Sequence, residues 1–365
     1  MPSSTLTIDP DIRRARTLPA EVYHDPAWFA RQKDRVFARG WHLVGHAADD
    51  LPAPGSVKPV MLLPDCLDEP LLLARDAAGT VRCLSNVCTH RGNLVVEAAG
   101  QCQTLRCGYH GRRFGLDGRF LSMPEFDGVA DFPTEADNLP EVALEEFGPL
   151  LFASLDPAMP FDAFIAPVRD RVGWLPLDAF RFDPDTSLDY YVNGHWALYC
   201  DNYLEPFHIP FIHAGLTAVL DFPSYRTELF DWCSLQVGVA AEGEPAFELP
   251  AGHADAGQAI AAYYFYMFPT TMLNFYPWGL SINRVEPLAP TRTRVAFRSY
   301  VWQPALRARG AGGDLHRVEM EDEAVVEQTQ RGVRSRLYHR GRYSPAMEPG
   351  VHHFHRLLAG LLSRA

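Results

Sequence analysis

Several things are scarce in this sequence, and each scarcity excludes a class of protein. Positive charge falls short. The 33 Lys and Arg against 45 Asp and Glu leave a formal charge of −12, which argues against broad electrostatic binding to nucleic acid or an anionic membrane. Long apolar runs are missing too. The most apolar stretch, IAAYYFYMFPTTMLNFYPWGL from Ile260, is broken by Pro269, Asn274 and Pro277, so it reads as buried sheet strands and not as a membrane span. The N-terminal MPSSTLTIDPDIRRARTLP has no apolar centre and carries acids, unlike a secretory signal, and the expected location is the cytoplasm. Cysteine is sparse and odd in number. The 7 cysteines (66, 83, 88, 102, 107, 200 and 233) are too few for a dense disulfide framework, which favours metal or cluster ligation. No repeat recurs at a fixed period.

What is present is a chain of 365 residues, 47% apolar and 12% aromatic, enough for two domains with cores of their own. HDPAWFARQKDRVFARGW predicts a helix with Asp25 as N-cap, Pro26 at its first position and Gly40 as its stop. From Trp41 to about Asp156 the pattern changes to short apolar runs separated by turns such as DAAG and LDG, the chemistry of hairpins. DPAMPFDAFIAP is rich in turn residues and marks a boundary. Strand-like stretches follow, with helices expected around 196–207 and 315–337, a polar loop at 242–259 that reads as a lid or a mere excursion, and a flexible connector at 307–314. The expected division is a helical segment over 1–40 packing on the second domain, an antiparallel β domain over 41–156 and a second domain over 157–365, α+β in class.

Within the β domain lie two mixed clips, Cys88-x-His90 and Cys107-x-x-His110, with sixteen residues between them. Zinc fingers usually pair like with like. One Cys and one His per loop suits a [2Fe-2S] cluster gripped from both sides, with both thiolates on one iron and both imidazoles on the other, the Rieske arrangement. The plainer alternative is two surface hairpins that happen to carry Cys and His. Gly92, Gly108 and Gly111 flank the clips, as tight loops would require.

A second constellation begins at CDNYLEPFHIPFIH, which supplies Asp201, Asn202, Glu205, His208 and His213 in an apolar setting. On a continuous helix Asn202, Glu205 and His208 would share a face, and Pro206 and Pro210 would bend or end that helix so that both histidines aim at one point. Two histidines and a carboxylate form the facial set for non-haem Fe(II). The last long helix offers the third ligand by pattern: Asp322 sits on the apolar stripe of Val318, Val325, Val326, Thr329 and Val333. Glu319, Glu321 and Glu323 fall off that stripe and are expected to be solvated.

With these residues in place, the sequence resembles the catalytic α subunits of Rieske non-haem iron oxygenases over most of its length, in DPAWFARQKDRVFARGWHLVGH, in the cluster motif with Arg91-Gly92, in DNYLEPFHIPFIH and in the last helix. The resemblance implies an antiparallel β Rieske domain followed by a helix-grip (START-like) catalytic domain with an antiparallel sheet and a long C-terminal helix, and a ring of three subunits. It implies that Cys88, His90, Cys107 and His110 hold the cluster while His208, His213 and Asp322 hold iron. It also implies that Glu205, where ring-hydroxylating members usually carry Asp, bridges to a cluster histidine of the neighbouring subunit, and that Asn202 lies near the iron. Electrons would come from NAD(P)H through a separate reductase, with a ferredoxin as a further carrier in some systems. Oxygen and a small molecule would be the substrates, with no nucleic acid or membrane partner.

Within the family the likeness is strongest to oxygenases of quaternary ammonium compounds, of the choline and glycine betaine monooxygenase and stachydrine demethylase type, through DNYLEPFHIPFIH, MLNFYPWGLSINRVEPL and GRYSPAMEPGVHHFHRLL. That likeness implies hydroxylation or N-demethylation of an N-methyl compound, although no ammonium-binding residue is matched. Tyr264, Tyr266, Phe268, Phe275, Tyr276 and Trp278 offer an aromatic wall, of which at least half is expected to be core packing. Two other readings compete: hydroxylation of an aromatic or other apolar compound, and an electron carrier or redox sensor without catalysis. His352, His353 and His355 are expected to be structural or interfacial, Met267 and Met272 gap-fillers, and Cys83 and Cys102 buried free thiols.

Overall fold

Short apolar runs and turn residues between His42 and Ser154 build an antiparallel sheet of seven strands. Its order is His42–His46, Leu150–Ser154, Glu141–Phe147, Val81–Ser85, Glu69–Arg75, Ser56–Leu62 and Gly100–Gln101. The DAAG turn joins Glu69–Arg75 to Val81–Ser85. The Asp76 carboxylate accepts the N–H groups of Ala78 and Thr80 there, which is how an aspartate fastens a tight turn. A separate three-stranded sheet, Leu105–Arg106, Arg113–Phe114 and Phe120–Ser122, carries the second cysteine–histidine clip at its first turn and LDG at its second. The computed structural model describes residues 6–363. The chain divides into two units, residues 38–158 and a second unit formed by the segments before 38 and after 158.

The second unit is built on an eight-stranded antiparallel sheet. Seven strands follow the order Arg181–Asp183, Arg292–Val301, Gly279–Ala289, Thr271–Tyr276, Ile260–Met267, Cys233–Val239 and Arg226–Leu229, and Asp189–Val192 pairs with Arg292–Val301 as well. The apolar stretch from Ile260 supplies the centre of this sheet, with a reversal at Phe268–Thr270 where Pro269 breaks the run. Every residue of Thr271–Tyr276 is buried, in the interior of the sheet between Ile260–Met267 and Gly279–Ala289. Met267 and Met272 are fully buried core. No helix among the described residues is long and apolar enough to cross a membrane. The architecture is the expected α+β one, with antiparallel sheets and a long helix, Leu315–Gly332, late in the chain.

The N-terminal helix starts as its sequence requires. Asp25 accepts the Ala27 N–H, Pro26 occupies the first turn, and Pro26–Gln32 passes into a π-helical turn over Lys33–Phe37. The segment locks onto its own unit through Gln32, whose Oε1 accepts the Trp196 indole N–H at 2.7 Å in a buried setting. A further helix, Pro349–Ser363, closes the chain. Its histidines act as pins. His352 Nε2 donates to the Asp9 carbonyl at 2.8 Å, and His355 lies between the Tyr343 hydroxyl and the Asp201 carboxylate at 2.6 and 2.8 Å. The 242–259 loop is anchored as well. His253 Nε2 donates to the Arg171 carbonyl, and Asp255 accepts from Arg171, Arg226 and the Tyr263 hydroxyl. That fastening fits an excursion pinned to its unit.

Candidate active site

The two cysteine–histidine loops repeat one backbone turn. Cys88 donates its N–H to the Asn93 carbonyl and accepts from Gly92, while Cys107 donates to the Arg112 carbonyl and accepts from Gly111. Gly92 and Gly111 have φ of +73° and +76°, the left-handed conformation that closes the turn without a Cβ clash. Gly108 is not among the glycines of positive φ, so it does not share their part in closing the turn. Both cysteines are 2% exposed on the edge of the unit's core, His90 is partly exposed and His110 is exposed. Thiols therefore face inward and imidazoles outward. The two imidazole rings meet edge to face at 4.8 Å, and Asn93 Nδ2 reaches across to Cys107 Sγ at 3.7 Å. Four soft or borderline donors converging from two matched loops fit a two-iron cluster. Cys83 and Cys102 are both free; Cys83 is fully buried, Cys102 only partly, and burial pushes the Cys83 thiol up to about 12.

Both loops also hang on one residue. The Asp137 carbonyl accepts from Thr89 Oγ1 at 2.8 Å and from Arg112 Nη2 at 3.0 Å, and its carboxylate takes Arg112 Nη2 at 2.7 Å. Arg112 is 2% exposed, with its guanidinium 4.9 Å from the Phe120 ring centre. Sequence reasoning passed over this pair, since a lone Asp in ADNLP carries no signal of its own.

In the second unit the helix over Trp196–Tyr203 stops earlier than the expected 207, and Asn202, Glu205 and His208 do not share one continuous helix. The cause is Pro206, which disfavours helical conformation at Glu205. Glu205 then caps the next turn. Its carboxylate accepts the His208 N–H at 3.0 Å and the His208 Nδ1–H at 2.7 Å. A single helical turn, Ile209–Ile212, with Pro210 at its start, separates His208 from His213. The long helix is capped by Asp314, ends at Gly332 rather than 337, and brings up Asp322.

His208 Nε2 and His213 Nε2 lie 3.1 Å apart, and Asp322 Oδ1 lies 3.5 and 2.9 Å from them. These three donor atoms form the one cluster of metal-ligating type, all within 4.8 Å of one another, found among the described residues. A carboxylate only accepts, so Glu205 and Glu321, each 2.7 Å from an Nδ1, force the proton onto Nδ1 of both histidines. Both Nε2 lone pairs then converge with an anionic oxygen, an arrangement that repels itself until a cation sits among them. The donor set fits Fe(II).

Three expectations about the long helix need correction. Glu319 is buried, Glu321 orients His213, and Glu323 is half-buried, so none of the three is freely solvated. Glu319 lies one turn before Asp322, about 60° around the helix, and Glu321 about 100° the other way. Protein covers both flanks, so the buried face is wider than an apolar stripe reports. Thr329, counted in that stripe, is exposed.

The triad opens on a cleft with about 750 Å³ of empty space, open solvent at its mouth included. Asn202, Glu205, His208, His213 and Asp322 all line it, as do Tyr203, Tyr225, Tyr264 and Tyr276. Of the six rings expected to form an aromatic wall, only Tyr264 and Tyr276 do so. Tyr266 and Phe268 pack on Phe354, Phe275 on Phe265, and Trp278 stacks on Tyr276. Tyr203 and Tyr225 were hidden because neither sits in an alternating pattern. Burial pushes the hydroxyls of Tyr203, Tyr225 and Tyr276 well up, so each keeps its proton. A polar seam runs along the wall: Tyr225 to Gln236, Gln236 to the Tyr203 carbonyl, Tyr203 to Asn274, and Asn274 to Asn283.

The family model for the ring hydroxylating alpha subunit (catalytic domain) matches residues 177–364, and that for the Rieske [2Fe-2S] domain matches residues 40–133. The chain is 29% identical over 376 residues to chloroplastic choline monooxygenase of Arabidopsis thaliana, spanning 96% of this chain and 84% of that protein. It is 28% identical over 370 residues to the carnitine monooxygenase oxygenase subunit of Escherichia coli K12, spanning 95% and 94%. A crystal structure of a quaternary ammonium Rieske monooxygenase with L-carnitine shares the fold at a TM-score of 0.77 and 22% identity, over 98% of this chain and 99% of that one. Naphthalene 1,2-dioxygenase from Rhodococcus sp. shares it at 0.74 and 18%, over 95% and 94%. The chain belongs to the ring-hydroxylating α-subunit family, with a Rieske domain ahead of the catalytic domain. It is a Rieske non-haem iron oxygenase, working with a [2Fe-2S] cluster, a mononuclear iron and electrons that reach it from NAD(P)H through a reductase.

Proposed function

We propose that this oxygenase inserts one atom of O2 into a C–H bond of a quaternary ammonium compound, at an N-methyl group or a nearby carbon. The observation that carries this reading is the set of five tyrosines, 199, 203, 225, 264 and 276, around the cleft beside His208, His213 and Asp322. Aromatic faces attract a cation that has no N–H to donate. The polar seam and buried carboxyls suit a purely apolar ring poorly, so ring hydroxylation is not favoured, and a catalytic-domain match over 177–364 disfavours a mere electron carrier. Relatives named for choline and carnitine support the same substrate class.

In this reading His208, His213 and Asp322 hold the iron, and Cys88, His90, Cys107 and His110 hold the cluster. Bound together, these groups supply oxygen activation and electron storage. Glu205 and Glu321 keep the Nε2 atoms of the two histidines aimed into the cleft, and Glu205 is also assigned the connection to a cluster histidine of a neighbouring copy in a homotrimer. Asn202 belongs to the catalytic surroundings at the wall. The tyrosines hold the ammonium group and keep water away from the reacting carbon. The other oxygen atom leaves as water, with two electrons drawn from NAD(P)H through a reductase, directly or by way of a ferredoxin. On an N-methyl carbon the hydroxymethylammonium product loses its O–H proton. Its C–N bond then breaks with the electron pair going to nitrogen, releasing formaldehyde and a tertiary amine.

The test is reductase-supported oxygen uptake with choline, glycine betaine, L-carnitine and stachydrine, against a panel of aromatic compounds. Uptake matched by hydroxylated or demethylated product with an ammonium compound is expected; stimulation by aromatics alone overturns the reading. Tyr264→Leu removes one ring face from the cation, worth about 2 kcal/mol when desolvated, and should raise KM for the ammonium substrate roughly 30-fold. An uncharged inhibitor of similar shape should lose far less.

Asp137→Ala takes the carboxylate from buried Arg112, leaves it the backbone carbonyl alone and loosens the second cluster loop, a cost of about 3–5 kcal/mol. The visible absorbance of the cluster is expected to bleach at lower temperature than in the wild type. Bleaching at an unchanged temperature would show that the loops hold their shape without Asp137.

A further inference from the structure

We propose that Glu319 is a specificity-determining residue of the cleft, supplying the counter-charge that selects a permanently cationic substrate over an uncharged molecule of the same shape. The proposal rests on the quaternary ammonium reading and deepens it, because ring faces attract a cation yet carry no net charge to balance it.

Glu319 is 3% exposed and lines the cleft one helical turn before Asp322. One of its oxygens is committed: Oε2 accepts the Tyr199 hydroxyl at 2.7 Å. The other, Oε1, is shut off from solvent and meets no hydrogen-bond donor among the described residues. The other acids of the cleft are engaged. Glu205 holds His208 with both oxygens, and Asp322 Oδ1 faces both histidines. No Lys or Arg stands among the described residues that line the cleft. Glu319 Oε1 is therefore a buried carboxyl oxygen with no donor of its own, on a residue that lines the cleft an incoming group would enter.

The chemistry of that group follows from what the site offers. A buried polar atom without a partner is costly, and a buried carboxylate more so. Burial, and then the Asp322 carboxylate, push the Glu319 carboxyl well above the ordinary range. A carboxyl held neutral in this way ionises only when a cation lies beside it, and a permanently charged group is a cation that cannot give up its own charge instead. A quaternary ammonium brings such a charge and no N–H, so it asks for an anionic oxygen and ring faces and for no directed acceptor geometry. Tyr203, Tyr225, Tyr264 and Tyr276 supply the faces.

Titration calorimetry on the holoenzyme tests this with choline, glycine betaine and L-carnitine, each paired with its tert-butyl analogue, such as 3,3-dimethylbutan-1-ol for choline. The wild type is expected to bind at least one cation ten times or more tighter than its analogue. In Glu319→Gln that ratio should fall at least tenfold, and in Glu319→Asp, which keeps the charge but withdraws it by one methylene, it should fall less. A wild-type ratio within twofold, or an unchanged ratio in Glu319→Gln, overturns the proposal. Should Glu319→Gln misfold, Glu319→Met takes its place, and an unchanged ratio there does the same. Product analysis in parallel separates the two claims: cation selectivity without turnover of any ammonium compound removes the substrate reading and leaves the selective site standing, whereas no binding by any of the three cations removes both.

Discussion

Asp322→Ala is expected to abolish oxygenation while the Rieske cluster stays intact. Asp322 contributes the anionic donor of the triad, its Oδ1 lying 2.9 Å from His213 Nε2 and 3.5 Å from His208 Nε2. Without it two neutral imidazoles remain, a weak pair of ligands for a hard divalent ion. Iron content should fall from about three atoms per chain to about two, the cluster's share. Turnover should fall a thousandfold or more, since an activating metal is worth several kcal/mol and each ~1.4 kcal/mol is a factor of ten. The cluster ligands lie in the other unit, so the spectrum of the reduced cluster is expected to be unchanged. Residual turnover near the wild-type rate with iron retained would move the third ligand elsewhere, and Glu321, 27% exposed and bound to His213, would be the next residue to test.

Glu205→Gln is expected to slow delivery of electrons while keeping the iron. Glu205 has two jobs in one side chain: one oxygen takes the His208 Nδ1–H at 2.7 Å, and the other takes the His208 backbone N–H at 3.0 Å. A glutamine retains a carbonyl for Nδ1–H and loses the charge. In a single turnover, with substrate and oxygen added to reduced enzyme, reoxidation of the cluster should slow about 10- to 100-fold, the usual effect of removing a partner behind a metal ligand. Glu205→Ala, which loses both bonds, should release iron as well. A Gln variant that reoxidises at the wild-type rate would reduce Glu205 to a holder of His208 and remove its assignment as the bridge.

The helix starts and the hairpins were legible because they depend on neighbours in sequence. Asp25 with Pro26 caps a helix, and Asp76 with Gly79 closes a turn, whatever the rest of the chain does. Local chemistry also drew out the side chains proposed as metal ligands: two loops with one Cys and one His each, two histidines five apart with Pro210 between them, and an Asp on an apolar stripe. The helix over Trp196–Tyr203 was overextended, because a face shared by Asn202, Glu205 and His208 looked persuasive until Pro206 is given its full steric weight.

What the sequence by itself determined, then, is the kind of chemistry, since ligand type and spacing are short-range facts that few other sites reproduce. Only the tertiary structure decided which side chains surround that chemistry. Glu321 meets His213 across 108 positions, Glu319 meets Tyr199 across 120, and Arg112 and Thr89 meet at Asp137 from separate loops. Five tyrosines from a helix, a loop and two strands line one cleft, while their sequence neighbours of the same composition pack into the core. Burial is a property of the assembled sheet and of the helices packed against it. A glutamate on a helix looks alike whether water or protein will cover it, and the distinction appears only when the wall across the cleft is in place.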